Sequence, residues 1–580
     1  MQQILPEAVD VYQLDPVAKI MLVAFISETS KIQDYIDGTF QRIVERFCTD
    51  FIPHRKINAM PAVCLVRPDV NEKADGLVSV GSGVQFSYRP PQSSANMSYI
   101  PIFNTALMPH SGTYLLTPRL LRYDDRSVSV RLDRPNRLWV GIRTPIEVYC
   151  LKGLSLFISG TGGVTPEHIA VGPDCTELEF APMQEVENIE MAEPFDAQQA
   201  SGQFFSYVEN WKDCLSNIPA GTLVYITDGT KDRDIYKPRA FPRVFQQWLE
   251  SEVLDIFQAG TIWLRIDFPE GYQVPDDCDV TLNLIPVTDV SVNSVTLTPA
   301  QPIAKLQGDE NTFFLDILET STAANRRGFG MNSEDIMVRD FEANCYNNAD
   351  LYRDVRNLYN HFIDDYYAFI EYNGIKDGEV LKKLRETINR VGKSVGTENP
   401  QYKFDSGTYV MKNMNQSSPT SATTVSFITT HGQRGNMPRA GETMTNESLP
   451  GCAKKTLVCT NAMAGTDKAS PDERYEQLRY YSLTNDRLFT RMDIDAFLRK
   501  ELLAEFGKEE FHRIFVKISI QGTGGEHGLK RGLYIDIEFK DRRNYEHAAN
   551  MYFDTLMQQR IESKSCIAMP IIVTLKNLED

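Results

Sequence analysis

The sequence predicts a multidomain α+β protein. Its parts are a long N-terminal helix, β-rich middle domains of sandwich-like character, a helical hairpin and a C-terminal ferredoxin-like βαββαβ domain. An apolar stripe at helical spacing precedes residue 50, and short β-rich runs separated by Pro, Gly and Asp fill residues 60 to 320. Helix and strand patterns then alternate in the last 110 residues. A chain of 580 residues has room for roughly three to five domains.

The N-terminal helical segment, residues 1–58, is dominated by one helix over residues 15 to 50. Asp15 stands in the N-cap place and Pro16 at the first helical position. Apolar residues then recur at spacings of three, four and seven, which predicts a single apolar face. A helix of this kind packs either on its own domain or on a partner, and the stripe by itself does not separate the two.

Two β-rich domains are predicted next, at residues 59–195 and 196–325, from runs such as "RLWVGI", "LSLFISG" and "TIWLRIDF". Residues 196 to 215 and 240 to 257 have the pattern of short helices between strands. In the first of these domains the pair Asp124-Asp125 is predicted to form a hairpin turn.

A helical hairpin is predicted at residues 326–400, where "LYRDVRNLYNHFIDDYYAFIEYNG" is followed by "GEVLKKLRETINRVG". Residues 401–470 are rich in Ser, Thr, Asn and Gly. With strand candidates such as "TTVSFITT" and "KTLVCT", they are predicted to form a loop-rich β insertion.

The last domain, residues 471–580, is predicted to be ferredoxin-like. Its first strand is "EQLRYYSL", and a helix capped by Thr490 and Asp493 follows and ends at Gly507. The rest are strands "FVKISI" and "LYIDIEF", the helix "NYEHAANMYFDTLMQQRI" and the strand "AMPIIVTL".

The glycine-rich run "GTGGEHGLK" between the two middle strands superficially resembles a phosphate-binding loop. Such a loop must lead from a strand into a helix, because the amides of the helix N-terminus hold the anion. Here the alternating run "LYIDIEF" follows, and Gly528 is followed by Leu529 before Lys530. The run is therefore predicted to be a β-hairpin loop. The segment "SGTGGVTPEH" at residues 159 to 168 fails the same test less clearly, since Thr165 could begin a short helix.

The composition predicts neither catalysis nor nucleic-acid binding. The net charge of −18 repels phosphate backbones, and Lys and Arg are scattered among acids. The ten cysteines show no CxxC pair and are interpreted as reduced, small apolar residues. His361 with Asp364 and Asp365 has metal-ligand spacing but is interpreted as a polar helix face, so no catalytic, cofactor or metal site is predicted. With no signal peptide or membrane span in the sequence, a cytoplasmic protein is expected.

Several segments in chain order resemble TssF, a baseplate wedge subunit of type VI secretion systems. The helix "DPVAKIMLVAFISETSKIQDYIDGTFQRIVERF" resembles the family's Asp-Pro-led helix, and "FIPHRKINAMPAVCLV" its link to the first strand. "GLVSVGSGVQF", "LSLFISG" and "TIWLRIDF" resemble its strands, with Asn283 and Pro286 at an Asn-x-x-Pro strand end. "RLFTRMDIDAFL" resembles a Thr-capped helix of contractile-tail wedge proteins. The short N-terminus and residues 404 to 470 depart from the family, which implies a divergent branch.

The resemblance implies a structural wedge subunit, with two copies of the chain gripping one TssG-like subunit and other baseplate and spike proteins beside it. It further implies sheath assembly on the wedge, no enzymatic activity, no nucleic acid and no membrane insertion. The stripe residues Phe25, Ile36, Phe40 and Phe47 would contribute to the partner interface. The alternatives are a wedge protein of a contractile phage tail or phage-like particle and, from another class, a β-rich carbohydrate-active protein.

Overall fold

The computed structural model describes residues 57 to 341, 407 to 412 and 422 to 578, together with residues 25, 29, 47, 52, 360, 382, 383 and 385 to 390. Within the long ranges the description omits residues 72–73, 75, 82, 92–95, 133, 173, 184, 186–188, 193–194, 196–201, 217–220, 232–234, 309–310, 323–325, 329–331, 334–335, 447, 526–527 and 566–568.

The chain divides into two compact units, each assembled from separated stretches of sequence. The C-terminal unit comprises Met1–Ile57, Arg339–Tyr409 and Ala469–Asp580. The larger, central unit comprises Asn58–Val338 and Val410–Lys468. Each is mixed or rich in β-structure, so the α+β class predicted from the sequence is confirmed at this level.

The strands from Val63 to Val458 are, in chain order, β1 (Val63–Val70), β2 (Val78–Val80), β3 (Phe86–Tyr88), β4 (Met97–Pro101), β5 (Thr105–Leu107), β6 (Gly112–Leu116), β7 (Leu120–Tyr123), β8 (Arg126–Ser129), β9 (Arg137–Arg143), β10 (Ser155–Ser159), β11 (His168–Val171), β12 (Thr176–Leu178), β13 (Phe180–Pro182), β14 (Gly221–Ile226), β15 (Thr261–Asp267), β16 (Asp279–Leu282), β17 (Ile285–Asp289), β18 (Ser291–Leu297), β19 (Ile303–Lys305), β20 (Phe313–Thr322), β21 (Arg326–Gly328), β22 (Asn332–Ser333), β23 (Ile336–Phe341), β24 (Gly407–Lys412), β25 (Thr423–Thr430), β26 (Thr443–Asn446) and β27 (Cys452–Val458). The helices in this region are α1 (Gly202–Ser216) and α2 (Ser251–Leu254), with 3₁₀ turns at Arg243–Gln247 and Gly432–Asn436. The short helices predicted between the strands are thus present.

A closed barrel of six strands, in the order β1-β17-β4-β3-β26-β27, forms one part of the central unit. Strand β1 closes the ring by pairing antiparallel with β17 on one side, at Val63↔Thr288, and with β27 on the other, at Val66↔Val458. Alternate residues point inward and fill the barrel with apolar side chains. Because β26 and β27 lie in the predicted 401–470 insertion, that segment supplies part of this barrel.

Two larger sheets lie next in the chain and share one core. A four-stranded sheet has the order β13-β14-β10-β16, and a seven-stranded sheet has the order β12-β11-β15-β9-β6-β7-β8. Both contribute apolar residues to a common cluster, as in a sandwich. Strand β15 pairs with β9 and with β11, so strands of the predicted 59–195 and 196–325 ranges share the same sheets.

The second face of the seven-stranded sheet is covered by aromatic residues, which explains why β9 is buried along nearly its whole length. Trp263 meets Phe245 edge to face with ring centroids 4.9 Å apart, and Phe257 likewise at 5.0 Å. Phe245 also meets Trp139 at 5.0 Å. The 3₁₀ turn, α2 and the residues next to them supply this apolar layer. The predicted helical region 240 to 257 therefore packs on the second face of the sheet.

Two further four-stranded sheets have the orders β18-β25-β20-β21 and β19-β24-β23-β22, and β2 pairs with β5 in a two-stranded sheet. Strand β25 pairs antiparallel with both β18 and β20. The two sheets contribute to one small core that includes Leu297, Val410 and Phe427.

The C-terminal region contains helices α3 (Pro471–Thr484), α4 (Arg491–Phe511), α5 (Arg542–Asn550) and α6 (Phe553–Lys564) and strands β28 (Ile514–Gly525), β29 (Gly528–Phe539) and β30 (Ile571–Asn577). The strands form a sheet in the order β28-β29-β30, antiparallel between the first two and parallel between the last two. One face of this sheet packs on the helices in a shared apolar core.

The predicted strand "EQLRYYSL" is wrong: these residues belong to α3, so the βαββαβ order is not formed. Ser470 accepts a hydrogen bond from the Glu473 amide, and the Glu473 carboxylate accepts one from the Ser470 amide, which is a complete capping box with Pro471 after it. Glu476, Tyr480 and Thr484 are buried at intervals of four, so the segment buries one helical face. The β-favouring tyrosines concealed that periodicity.

The other C-terminal predictions agree with the structure apart from two helix details. The Thr490–Asp493 capping box is present, and Gly507 interrupts α4 with a left-handed backbone (φ 72°) before one more turn follows. The predicted helix at residues 544 to 561 is divided at Tyr552, which has φ 51°. The helical hairpin predicted at 326–400 is wrong at its start, where the strands β21, β22 and β23 lie. Residues 360, 382, 383 and 385 to 390 of that range are helical, as predicted. The rest of the hairpin and the body of the predicted N-terminal helix lie outside the described residues.

Candidate partner interface and buried polar sites

Two of the four predicted interface residues are described, and both are exposed. Phe25 and Phe47 are in helical conformation, with 69% and 47% of their surface accessible. The Thr29 hydroxyl donates to the Phe25 carbonyl at 2.8 Å, one helical turn away. Ile36 and Phe40 lie outside the described residues. Exposed phenylalanines at these two positions suit a contact with another molecule.

The glycine-rich run at 521 to 530 is a β-hairpin, as the sequence predicts. Strands β28 and β29 pair without interruption from Ile514↔Phe539 to Gly525↔Gly528. The other glycine-rich segment, after Ser159, connects β10 to β11 and therefore also joins two strands. The arrangement of strand, loop and helix that phosphate binding requires is absent from both described segments.

The Asp124-Asp125 pair forms the predicted hairpin turn between β7 and β8. Both residues have positive φ angles, of 43° and 62°, which is the backbone of a type I′ turn. Asn283, from the Asn-x-x-Pro segment, likewise has a structural role. Its amide exchanges two hydrogen bonds of 2.8 Å with the backbone of Met108.

A buried carboxylate, Asp289, connects the end of β17 to the last residue of β25 and to the residue that follows it. Its side chain is 0% exposed. One oxygen, Oδ2, accepts from the Thr430 hydroxyl at 3.0 Å and from the His431 amide at 2.8 Å. The other, Oδ1, lies 2.8 Å from Nδ1 of His431. Every carboxylate oxygen is therefore engaged, as burial of a charge requires.

Neighbouring residues pack closely around the Asp289 carboxylate. A Cβ placed on Gly435 would lie 2.5 Å from Oδ2, so only glycine fits there. The Tyr99 hydroxyl donates to the Gly435 carbonyl at 2.7 Å. Burial, followed by the nearby Asp289 charge, raises the pKa of the Cys64 thiol well above its usual range. A neutral, buried thiol is a packing group, so this cluster stabilises the barrel. The sequence contains no local signal for it.

A cleft of about 700 Å³ lies elsewhere in the central unit. An ion pair at its edge joins Nζ of Lys152 to the Glu190 carboxylate at 2.7 Å, and the Asn104 amide donates to the same carboxylate at 3.0 Å. Its hydrogen bond to Lys152 lowers the pKa of Glu190 from the usual value, and the same bond raises the pKa of Lys152. The two side chains neutralise one another and leave no net charge to select a ligand.

Metal-binding groups are not found among the described residues, in which no three His, Cys, Asp or Glu side chains come together. His361, Asp364 and Asp365 lie outside that part of the chain. In the helices that the structure describes, no segment is long and apolar enough to cross a membrane.

No protein-family model matches the chain, and no curated protein matches it. Two solved structures are similar to it over nearly their whole length. One is described as the type VI secretion system TssK-TssF-TssG baseplate subcomplex, and its chain is 10% identical, with 97% of this chain and 96% of that chain covered and a TM-score of 0.41. The other, the baseplate complex from the type VI secretion system, is 11% identical, with 99% and 92% covered and a TM-score of 0.30. The chain is similar to type VI secretion baseplate proteins.

Proposed function

We propose that this chain is a structural subunit of the cytoplasmic baseplate wedge of a type VI secretion system, in the position of TssF. The observation that carries the proposal is the order of the TssF-like sequence segments, which run from the Asp-Pro-led helix through the middle strands to "RLFTRMDIDAFL". The last of these is a Thr-capped helix in the structure as well, since Thr490 and Asp493 begin α4.

The partners that this role requires are a TssG-like subunit, a second copy of the chain, and other baseplate and spike proteins that together support the sheath. Exposed Phe25 and Phe47 would lie at the contact with the TssG-like subunit, with Ile36 and Phe40 of the same sequence stripe between them. Interfaces of permanent assemblies are large and apolar, and aromatic residues often dominate their energy. The net charge of −18 argues against a nucleic-acid partner.

A structural role without catalysis also suits the buried polar groups at the end of β17. The Asp289 carboxylate and His431 could suggest an acid–base pair. However, Asp289 is fully buried and each of its oxygens accepts a hydrogen bond from Thr430 or His431. A general base must reach the proton that it removes. The hydrogen bonds of this carboxylate instead connect β17 to the end of β25.

Co-expression with the products of neighbouring genes tests the proposal. We expect affinity purification to recover a stable complex with two copies of this chain and one TssG-like subunit, measured by native mass spectrometry. Phe25→Asp and Phe47→Asp should each weaken the complex at least about tenfold, equivalent to about 1.4 kcal/mol, while the apolar controls Phe25→Leu and Phe47→Leu should change it little. A chain that remains alone with every neighbour would overturn the assembly role.

A further inference from the structure

We draw no further inference here: the strongest candidate, the cleft beside strands β12 and β13 that is lined by Glu167, Glu177, Glu179 and Glu185, rests on a cluster of acidic side chains, and nothing in the described part of the chain shows what binds there.

Discussion

Removal of the buried carboxylate by Asp289→Ala should strongly destabilise the central unit. The change leaves three donors, the Thr430 hydroxyl and the amide and Nδ1–H of His431, without an acceptor in a buried site. Each buried donor left unpaired costs about 1–3 kcal/mol, and the relief of burying a charge offsets part of the sum. We expect a net loss of about 3–5 kcal/mol in the free energy of unfolding.

Asp289→Asn provides the matched comparison because it keeps the side-chain volume. Its amide oxygen can still accept from Thr430 and the His431 amide, and its NH₂ group can donate to Nδ1 if neutral His431 adopts the other tautomer. Only the charge assistance of these bonds is then lost, so we expect a cost of about 1 kcal/mol.

Urea unfolding followed by tryptophan fluorescence measures both variants. All four tryptophans, Trp139, Trp211, Trp248 and Trp263, lie in the central unit and report on it alone. With an m-value of about 3 kcal/mol per M or somewhat more, Asp289→Ala should lower the midpoint by roughly 1 M. Exposed Asp279→Ala, on β16, should shift it by less than about 0.2 M. Equal midpoints for Asp289→Ala and Asp279→Ala would refute the structural role of the buried carboxylate.

Three smaller effects follow from backbone and capping geometry. Gly441→Ala should cost about 1 kcal/mol by the same fluorescence assay, because Gly441 has φ 92° with open space around it, whereas Gly76→Ala, in ordinary backbone and equally open space, should be neutral. Ser470→Ala should cost about 1 kcal/mol and speed amide exchange in the first turn of α3; an unchanged rate would contradict the capping box. Burial opposes ionisation of Asp493, but the backbone amides of its cap hold its pKa below the usual value. Its stabilisation is therefore complete above the unfolded pKa of about 3.9 and is lost as pH falls below about 4, so Asp493→Asn should flatten the acid limb of C-terminal unfolding.

Local signals in the sequence determined the elements whose stabilising contacts lie within a few residues. The Thr490–Asp493 cap, the Asp124-Asp125 turn and the hairpin of β28 and β29 were all predicted correctly, because each depends on groups three or four residues apart or on a strict alternation. The Ser470–Glu473 box carried equally local information for α3. The β-favouring tyrosines outweighed it in the prediction, although the tertiary core buries Tyr480 on a helical face.

Only the tertiary structure decided which distant segments meet. The barrel closes because β1 pairs with β27, which follows nearly four hundred residues later in the chain. The hydrogen bond from the Leu65 amide to the Thr460 hydroxyl, for example, joins residues 395 positions apart. The His431 amide donates a hydrogen bond to the Asp289 carboxylate although 142 positions separate the two residues. An alternating strand pattern specifies which face is buried but not which strand lies beside it. That choice depends on the summed packing and hydrogen bonding of the whole unit, which no single stretch of sequence contains.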